Sequence, residues 1–153
     1  MLAAFPEISI QQFQLLIREI YGLPNDRQFE LTELLTNVQR FAMRGLKGIR
    51  KGDVEKIKSN LIISFSFFIS TLNRLHIELE DVVWERFPYL CSYCGKCPCL
   101  CTEHKVGQRQ QIVVDNIKRP RNLKDFQNMF KEIYPAQHRT LEHAGVHLAE
   151  EIG

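Results

Sequence analysis

The chain is poor in most of what would place it outside ordinary globular proteins. Its 153 residues hold only eight Gly and six Pro, which excludes collagen-like and low-complexity character. Neither sign of charge dominates, since 20 Lys and Arg stand against 18 Asp and Glu; with 44% apolar residues this excludes a disordered acidic or basic tail. The start, Met1 to Gln14, has no basic leader followed by an apolar stretch, so no export signal is expected. The longest uncharged run, Ser59 to Asn73, is interrupted by Ser64, Ser66, Ser70 and Thr71 and is too short to span a bilayer. No Gly-rich phosphate loop and no Ser/His/Asp constellation occurs. Cysteine is absent from most of the chain: all five fall between Cys91 and Cys101, a poor layout for a disulfide framework and a good one for a metal site in a reducing compartment. A cytoplasmic location without membrane association is the expectation.

What is present is helical periodicity, and the fold class it predicts is all-α. Ile10, Phe13, Ile17, Ile20 and Tyr21 recur at three- and four-residue steps behind a Ser9/Gln12 capping box, with Gly22 and Pro24 closing the helix. A second helix is predicted from about Phe29 to Met43, capped by Asn25 or Asp26, after which Gly45 and Gly48 loosen the chain. Asp53 caps a third, with Val54, Ile57, Leu61, Phe65, Phe68, Leu72 and Leu75 in helical register. Ile62, Ile63, Phe67 and Ile69 make it apolar on its other faces too, so it must be surrounded, inside a bundle or at a subunit contact. A fourth runs from about Leu79 to Phe87 and is stopped by Pro88. Short connections between four such helices predict an antiparallel bundle over residues 1–88. A Cys-rich knot over 89–104 and a basic linker over 105–121 follow, the linker with one short strand at Gln111 to Val114. Two more helices are predicted, opened by Asn122 and Thr140.

The two ends of the chain resemble each other. Ile10 to Tyr21 aligns without a gap to Leu123 to Tyr134, pairing Phe13-Gln14 with Phe126-Gln127 and Glu19-Ile20-Tyr21 with Glu132-Ile133-Tyr134. With a short deletion, Leu31, Leu34, Val38 and Ala42 fall opposite Leu141, Ala144, Leu148 and Ile152. Residues 122–153 thus read as the truncated start of a second copy, either a fragment of a longer protein or a tail that docks on the first bundle.

Two chemical patterns stand out. Cys91-x2-Cys94 and Cys99-x-Cys101, with Gly95 and Pro98 supplying turns, have the spacing to bring four thiolates onto one Zn²⁺. Four protein thiolates leave no open coordination position, so the role is structural. Cys97 is an extra thiol that could replace Cys99, His104 is an alternative ligand, and an iron–sulfur cluster is the alternative cofactor. Four thiolates on one divalent cation would lower the formal charge from +2 to zero. The second pattern is basic: Arg40, Arg44, Lys47 and Lys51 recur at steps of four, three and four, and no acid lies between Leu34 and Gly52. On a continuous helix they would form a phosphate-binding stripe for a nucleotide or nucleic acid, a reading to which the Lys105 to Lys124 stretch adds. His143 and His147, at i and i+4, read as ordinary surface or packing residues, since no Glu follows His143 directly.

Phe13-Gln14 with Glu19-Ile20-Tyr21, Arg50-Lys51-Gly52-Asp53, and Leu72-Asn73-Arg74-Leu75-His76-Ile77-Glu78-Leu79 with Trp84 together carry a family resemblance. Residues 8 to 87 resemble the MazG-type nucleoside triphosphate pyrophosphohydrolases, all-α proteins whose four-helix units pair into dimers and hold Mg²⁺ between two helices. The resemblance implies a homodimer, and a Cys-x2-Cys, Pro-Cys-x-Cys tail in some members supports Cys91, Cys94, Cys99 and Cys101 as ligands. It also implies carboxylates at Glu-x-x-Glu and Glu-x-x-Asp positions, because hard Mg²⁺ takes oxygen ligands. Those positions fall here on Arg40, Phe41 and Arg44 and on Asn60 and Ile63, none an acid. The first unit is therefore expected to be catalytically silent, a scaffold for dimerisation, because guanidinium groups repel the cation that acids would bind. Glu30-x-x-Glu33, with Asp53 and Glu55, is the remaining acidic set, read as helix-start acids meeting the helix dipole. Glu150 and Glu151, in a segment resembling the family's first acidic motif, would belong to a second unit, and Mg²⁺ would be needed only if that unit were complete.

Overall fold

A computed structural model describes residues 7–103, 107–136 and 140–153. The described residues form six α-helices and one 3₁₀ turn, and no strand occurs among them: α1 (Ile10–Gln28), α2 (Leu31–Lys51), α3 (Val54–Arg74), α4 (Leu79–Arg86), a 3₁₀ turn (Asn116–Lys118), α5 (Leu123–Ile133) and α6 (Leu141–Ile152). The all-helical class is as expected; Gln111 to Val114 forms no strand. None of the described helices is long and apolar enough to cross a membrane.

The chain divides into two compact units, one of residues 1–13 with 78–137, the other of residues 14–77 with 138–153. In the second, α2 and α3 are joined only by Gly52 and Asp53, and Gly52 takes the left-handed φ of 66° that a tight reversal needs. The pair is antiparallel, as its contacts show. Ser64 Oγ donates to the Val38 carbonyl at 2.8 Å, the Phe41 and Phe67 rings stack at 5.8 Å, and Leu61 and Ile57 lie against Gly45 and Gly48. Here α2 differs from expectation. Gly45 and Gly48 do not loosen it but sit buried inside it, because the missing side chains let α3 approach closely; α2 then runs on to Lys51. Its start differs too. Glu30, not Asn25 or Asp26, occupies the N-cap, with Glu33 accepting from the Glu30 N–H at 2.7 Å.

Likewise α1 does not end at Gly22 and Pro24 but continues to Gln28. Proline forfeits one backbone bond in a helix interior. Tertiary partners hold the turn beyond it: Asn25 Nδ2 donates to Ser70 Oγ at 2.9 Å, and Arg74 donates to the carbonyls of Asn25 at 3.0 Å and Phe29 at 2.6 Å. Among the described residues nothing covers one side of the third helix. Its hydroxyl residues Ser64, Ser70 and Thr71 turn inward to bonded positions, while Ile62, Ile63 and Phe65 stay exposed, Ile62 at 64%. The tail docks: α6 lies antiparallel on α2, with Gly145 against Leu46 and Ile49 and Gln39 Nε2 donating to the Ile152 carbonyl at 3.4 Å.

In the other unit, Ser9 and Gln12 form the expected capping box at the start of α1. Ile10 then joins Trp84 of α4, Cys91, Cys94, and Phe126, Met129 and Ile133 of α5 in one core. Trp84 Nε1 finds its partner in Asn116 Oδ1 at 2.8 Å. Asn122 caps α5 through the Asp125 N–H, and the Leu123 N–H donates to the Ile8 carbonyl at 3.1 Å.

Candidate metal centre

The segment from Tyr89 to Cys101 has no regular secondary structure, and its shape comes from turns. Tyr89 and Gly95 adopt left-handed φ values of 60° and 65°, and the Cys97–Pro98 peptide is cis. The Gly95 N–H donates to the Cys91 carbonyl and the Cys91 N–H to the Lys96 carbonyl, both at 2.9 Å, closing a tight loop that places Cys91 and Cys94 side by side. The second pair is anchored from α5, where the Ile133 carbonyl accepts the Cys99 N–H at 2.8 Å. Outside this loop, the Gln110 N–H reaches the Tyr93 carbonyl at 3.0 Å.

The result is a cluster of four sulfurs, those of Cys91, Cys94, Cys99 and Cys101, all within 4.8 Å of one another. Cys91 Sγ lies 3.7 Å from Cys101 Sγ and Cys94 Sγ 4.0 Å from Cys99 Sγ, so no disulfide links them. A tetrahedron with metal–sulfur bonds of about 2.3 Å has edges of about 3.8 Å, and these separations straddle that length. Each cysteine pair bridges from one loop to the other, as ligands around a single ion do. Among the described residues this is the sole group of three or more His, Cys, Asp and Glu side chains placed to share a metal.

The electrostatics of the bare cluster are those of thiols competing for one charge. Burial resists ionisation of Cys91, but the Tyr134 hydroxyl and the N–H groups of Cys94 and Tyr93 outweigh it and bring that thiol down to about 6. Contacts with the Cys99 thiol, burial and the Cys91 charge push Cys101 up to about 12, and burial with the same charge raises Cys99. A divalent cation would remove that competition and let all four ionise. Tyr134 sits in the second layer: burial, and its hydrogen bond to the Cys91 thiolate, hold its proton on.

Sequence reasoning assembled the four ligands but missed Tyr134 and Ile133, which it placed in a separate copy of the first helix. The signal was faint: Tyr134 ends α5, and only the fold brings that end to the cysteines. Cys97 is exposed and stands outside the set; burial of its sulfur and the nearby Glu132 raise its pKa. His104 and Lys105 lie outside the described residues.

The other sequence-predicted positions lie elsewhere. Arg40 and Arg44 are exposed on α2 and Phe41 is half-buried between them; on α3, Asn60 is half-buried and donates to its own Lys56 carbonyl, and Ile63 is exposed. The remaining acids are occupied locally. Glu30 and Glu33 form the capping box of α2, Asp53 caps α3 through the Lys56 N–H, and Glu55 pairs with Lys58 at 3.3 Å. On α6, Glu150 pairs with His147 at 3.3 Å, while His143 and Glu151 are exposed.

Neither the protein-family models, the curated proteins nor the solved structures contain a match to this chain.

Proposed function

We propose that the protein is a non-catalytic helical scaffold fastened by one structural zinc ion, and a degenerate relative of the MazG-type nucleotide pyrophosphohydrolases. The observation that carries the scaffold reading is the centre itself: four sulfurs within 4.8 Å, two of them buried in the core of their unit. A closed tetrathiolate offers water no coordination position, so the ion serves the fold. The short separations also favour one ion over an iron–sulfur cluster, whose thiolates are divided among several irons.

The family part rests on the resemblance in residues 8 to 87, from which α1 to α4 would descend as a four-helix antiparallel unit. The silent-site part is supported by the cations at Arg40 and Arg44, where Mg²⁺ ligands would stand, and by the local engagement of Glu30, Glu33, Asp53 and Glu55. Dimerisation through α2 and α3 belongs to the same reading. The exposed Ile62, Ile63 and Phe65 of α3, with a 370 Å³ apolar cavity lined by Val38, Leu61, Phe65, Phe68, Leu148 and Ile152, suit a second copy.

Metal analysis after anaerobic purification tests the centre; one zinc per chain is expected, lost in Cys91→Ser and kept in Cys97→Ser. Absence of zinc and iron would remove the proposal. With Mg²⁺ or Mn²⁺ the protein should convert no nucleoside triphosphate to monophosphate and pyrophosphate. Turnover abolished by Glu30→Gln or Glu33→Gln would overturn the silent-site reading. Light scattering should give twice the chain mass, reverting to one in Ile62→Asp.

A further inference from the structure

The basic residues of α2 are left over by the scaffold reading, and the structure changes their meaning. Because α2 continues unbroken through Gly45 and Gly48, Arg40, Arg44, Lys47 and Lys51 lie on one helix. At 100° per residue they fall within an arc of about 60°, and at about 1.5 Å per residue they span about 16 Å of the axis. Among the buried positions of α2, Leu34, Val38, Ala42, Gly45 and Leu46 lie on the other side of the helix, whereas Asn37 and Gly48 border the stripe. All four cations are exposed, and none shares an ion pair or hydrogen bond with a described residue. Arg44 is held in place by its own helix, its guanidinium 5.1 Å above the Phe41 ring. The acids flanking the stripe are both engaged: Glu33, nearly two turns before Arg40, accepts from the Glu30 N–H, and Asp53, two residues after Lys51, accepts from the Lys56 N–H at the start of α3.

We infer that this stripe binds the phosphate backbone of a double-stranded nucleic acid, independently of sequence. A row of cations without ion-pair partners among the described residues is the electrostatic footprint of a polyanion. Its length matches about four or five phosphates of one duplex strand, spaced about 3.4 Å along the axis. A free nucleotide fits less well, because such ligands take concave sites. The cavities beside α2, of 370 and 260 Å³, are lined by none of the four residues. A single strand fits less well too. Strand-binding surfaces add aromatic platforms for the bases, and Phe41, the aromatic beside the stripe, is covered by Arg44 and Phe67. The basic stretch beyond the cysteines is weaker: Arg119 is neutralised by Glu80 and Asp81, and Lys105 lies outside the described residues.

The test is fluorescence anisotropy of the 153-residue protein, purified with zinc, against a labelled 24-base-pair duplex over 50 to 200 mM salt. Four phosphate contacts predict a log–log slope of about −3.6, or a loss of roughly 100-fold in affinity across that range. Arg40→Gln with Arg44→Gln should reduce the slope by about 1.8, and Lys47→Gln with Lys51→Gln by the same amount. A control removing charge elsewhere, Arg121→Gln with Lys124→Gln, should leave it unchanged. The proposal is overturned by no binding at 50 mM salt, by an equal loss in the control, or by wild-type slopes in both stripe variants. Tighter binding of polyglutamate or of phosphatidylserine vesicles would overturn it in favour of an acidic protein or a membrane surface.

Discussion

Gly145 of α6 faces Ile49 of α2 so closely that a methyl group in place of its hydrogen would lie 2.6 Å from Ile49 Cδ1 and 3.1 Å from Leu46 Cδ1. The docking of α6 depends on this gap. Both opposing atoms are the ends of flexible side chains, so Gly145→Ala should be close to neutral: a clash relieved by a rotamer change, against about 1 kcal/mol gained in helix propensity. Gly145→Leu cannot be accommodated that way and should lift α6 from α2. Hydrogen exchange should then show fast exchange confined to 141–152, with α2 and α3 still protected; a protected α6 in this variant would refute the close-packing account.

Gly48 is the contrasting case, because its neighbour is main chain. A Cβ there would lie 3.1 Å from the Ile57 nitrogen and 3.4 Å from the Asp53 carbonyl oxygen. Backbone cannot rotate out of the way, so Gly48→Ala should pry α2 from α3 and cost about 1–3 kcal/mol, more than the propensity gain of about 1 kcal/mol. The measurement is the denaturant midpoint. A stabilised Gly48→Ala would mean that α2 and α3 are not in the contact described.

These two glycines show what a sequence displays and what it hides. Caps decided within three residues were legible: Ser9 with Gln12, Asp53, Asn122 and Thr140 all accept the bonds that local pattern assigns them. So were the four cysteines, whose spacing is itself the constraint. Features settled by distant partners were not. Gly45 and Gly48 read as breaks because the helix opposite them is invisible in the local string, and Pro24 read as a stop because Arg74 is far away in sequence. The internal repeat shows the same limit. Ile20 is 51% exposed while its counterpart Ile133 is fully buried beside the cysteines, so similar strings occupy unlike surroundings. Periodicity also did not show that several inward positions of α3 are hydroxyls with bonded partners, Ser64 on the Val38 carbonyl and Ser70 on Asn25.

Arg74 gives a third prediction. Its guanidinium donates to two carbonyls near the end of α1 and to Asp26 Oδ1, at 2.7 Å from Nη2. Asp26 is exposed, so the ion pair itself contributes little, and the value lies in the carbonyls of Asn25 and Phe29, which Arg74 ties down where α1 ends. Arg74→Ala should cost about 1.5–3 kcal/mol, the range for hydrogen bonds to a charged donor. Arg74→Lys should recover only a small part, because a single ammonium cannot reproduce the planar fork. Asp26→Asn should change the midpoint by less than about 1 kcal/mol. Comparable losses in Asp26→Asn and Arg74→Ala would instead make the ion pair the main contribution.

Tyr134 gives the last, and it separates the centre from the fold around it. Its hydroxyl donates to the Cys91 thiolate, while its ring packs edge-on to Phe87 at 6.3 Å. Tyr134→Phe keeps the ring and removes only the hydrogen bond. Partners in this second layer orient a ligand and tune its basicity, and losing one commonly weakens metal binding by about 10- to 100-fold. Chelator competition should therefore show a looser zinc in Tyr134→Phe, with α-helix content unchanged by circular dichroism. Trp84 supplies an independent readout, since it is buried in the same core as Cys91 and Cys94. Stripping the metal should red-shift its emission as that core opens, and zinc should reverse the shift in both proteins, at a higher free concentration for the variant. Equal zinc affinity in the two would show that the phenol does not act on the ligand sulfur.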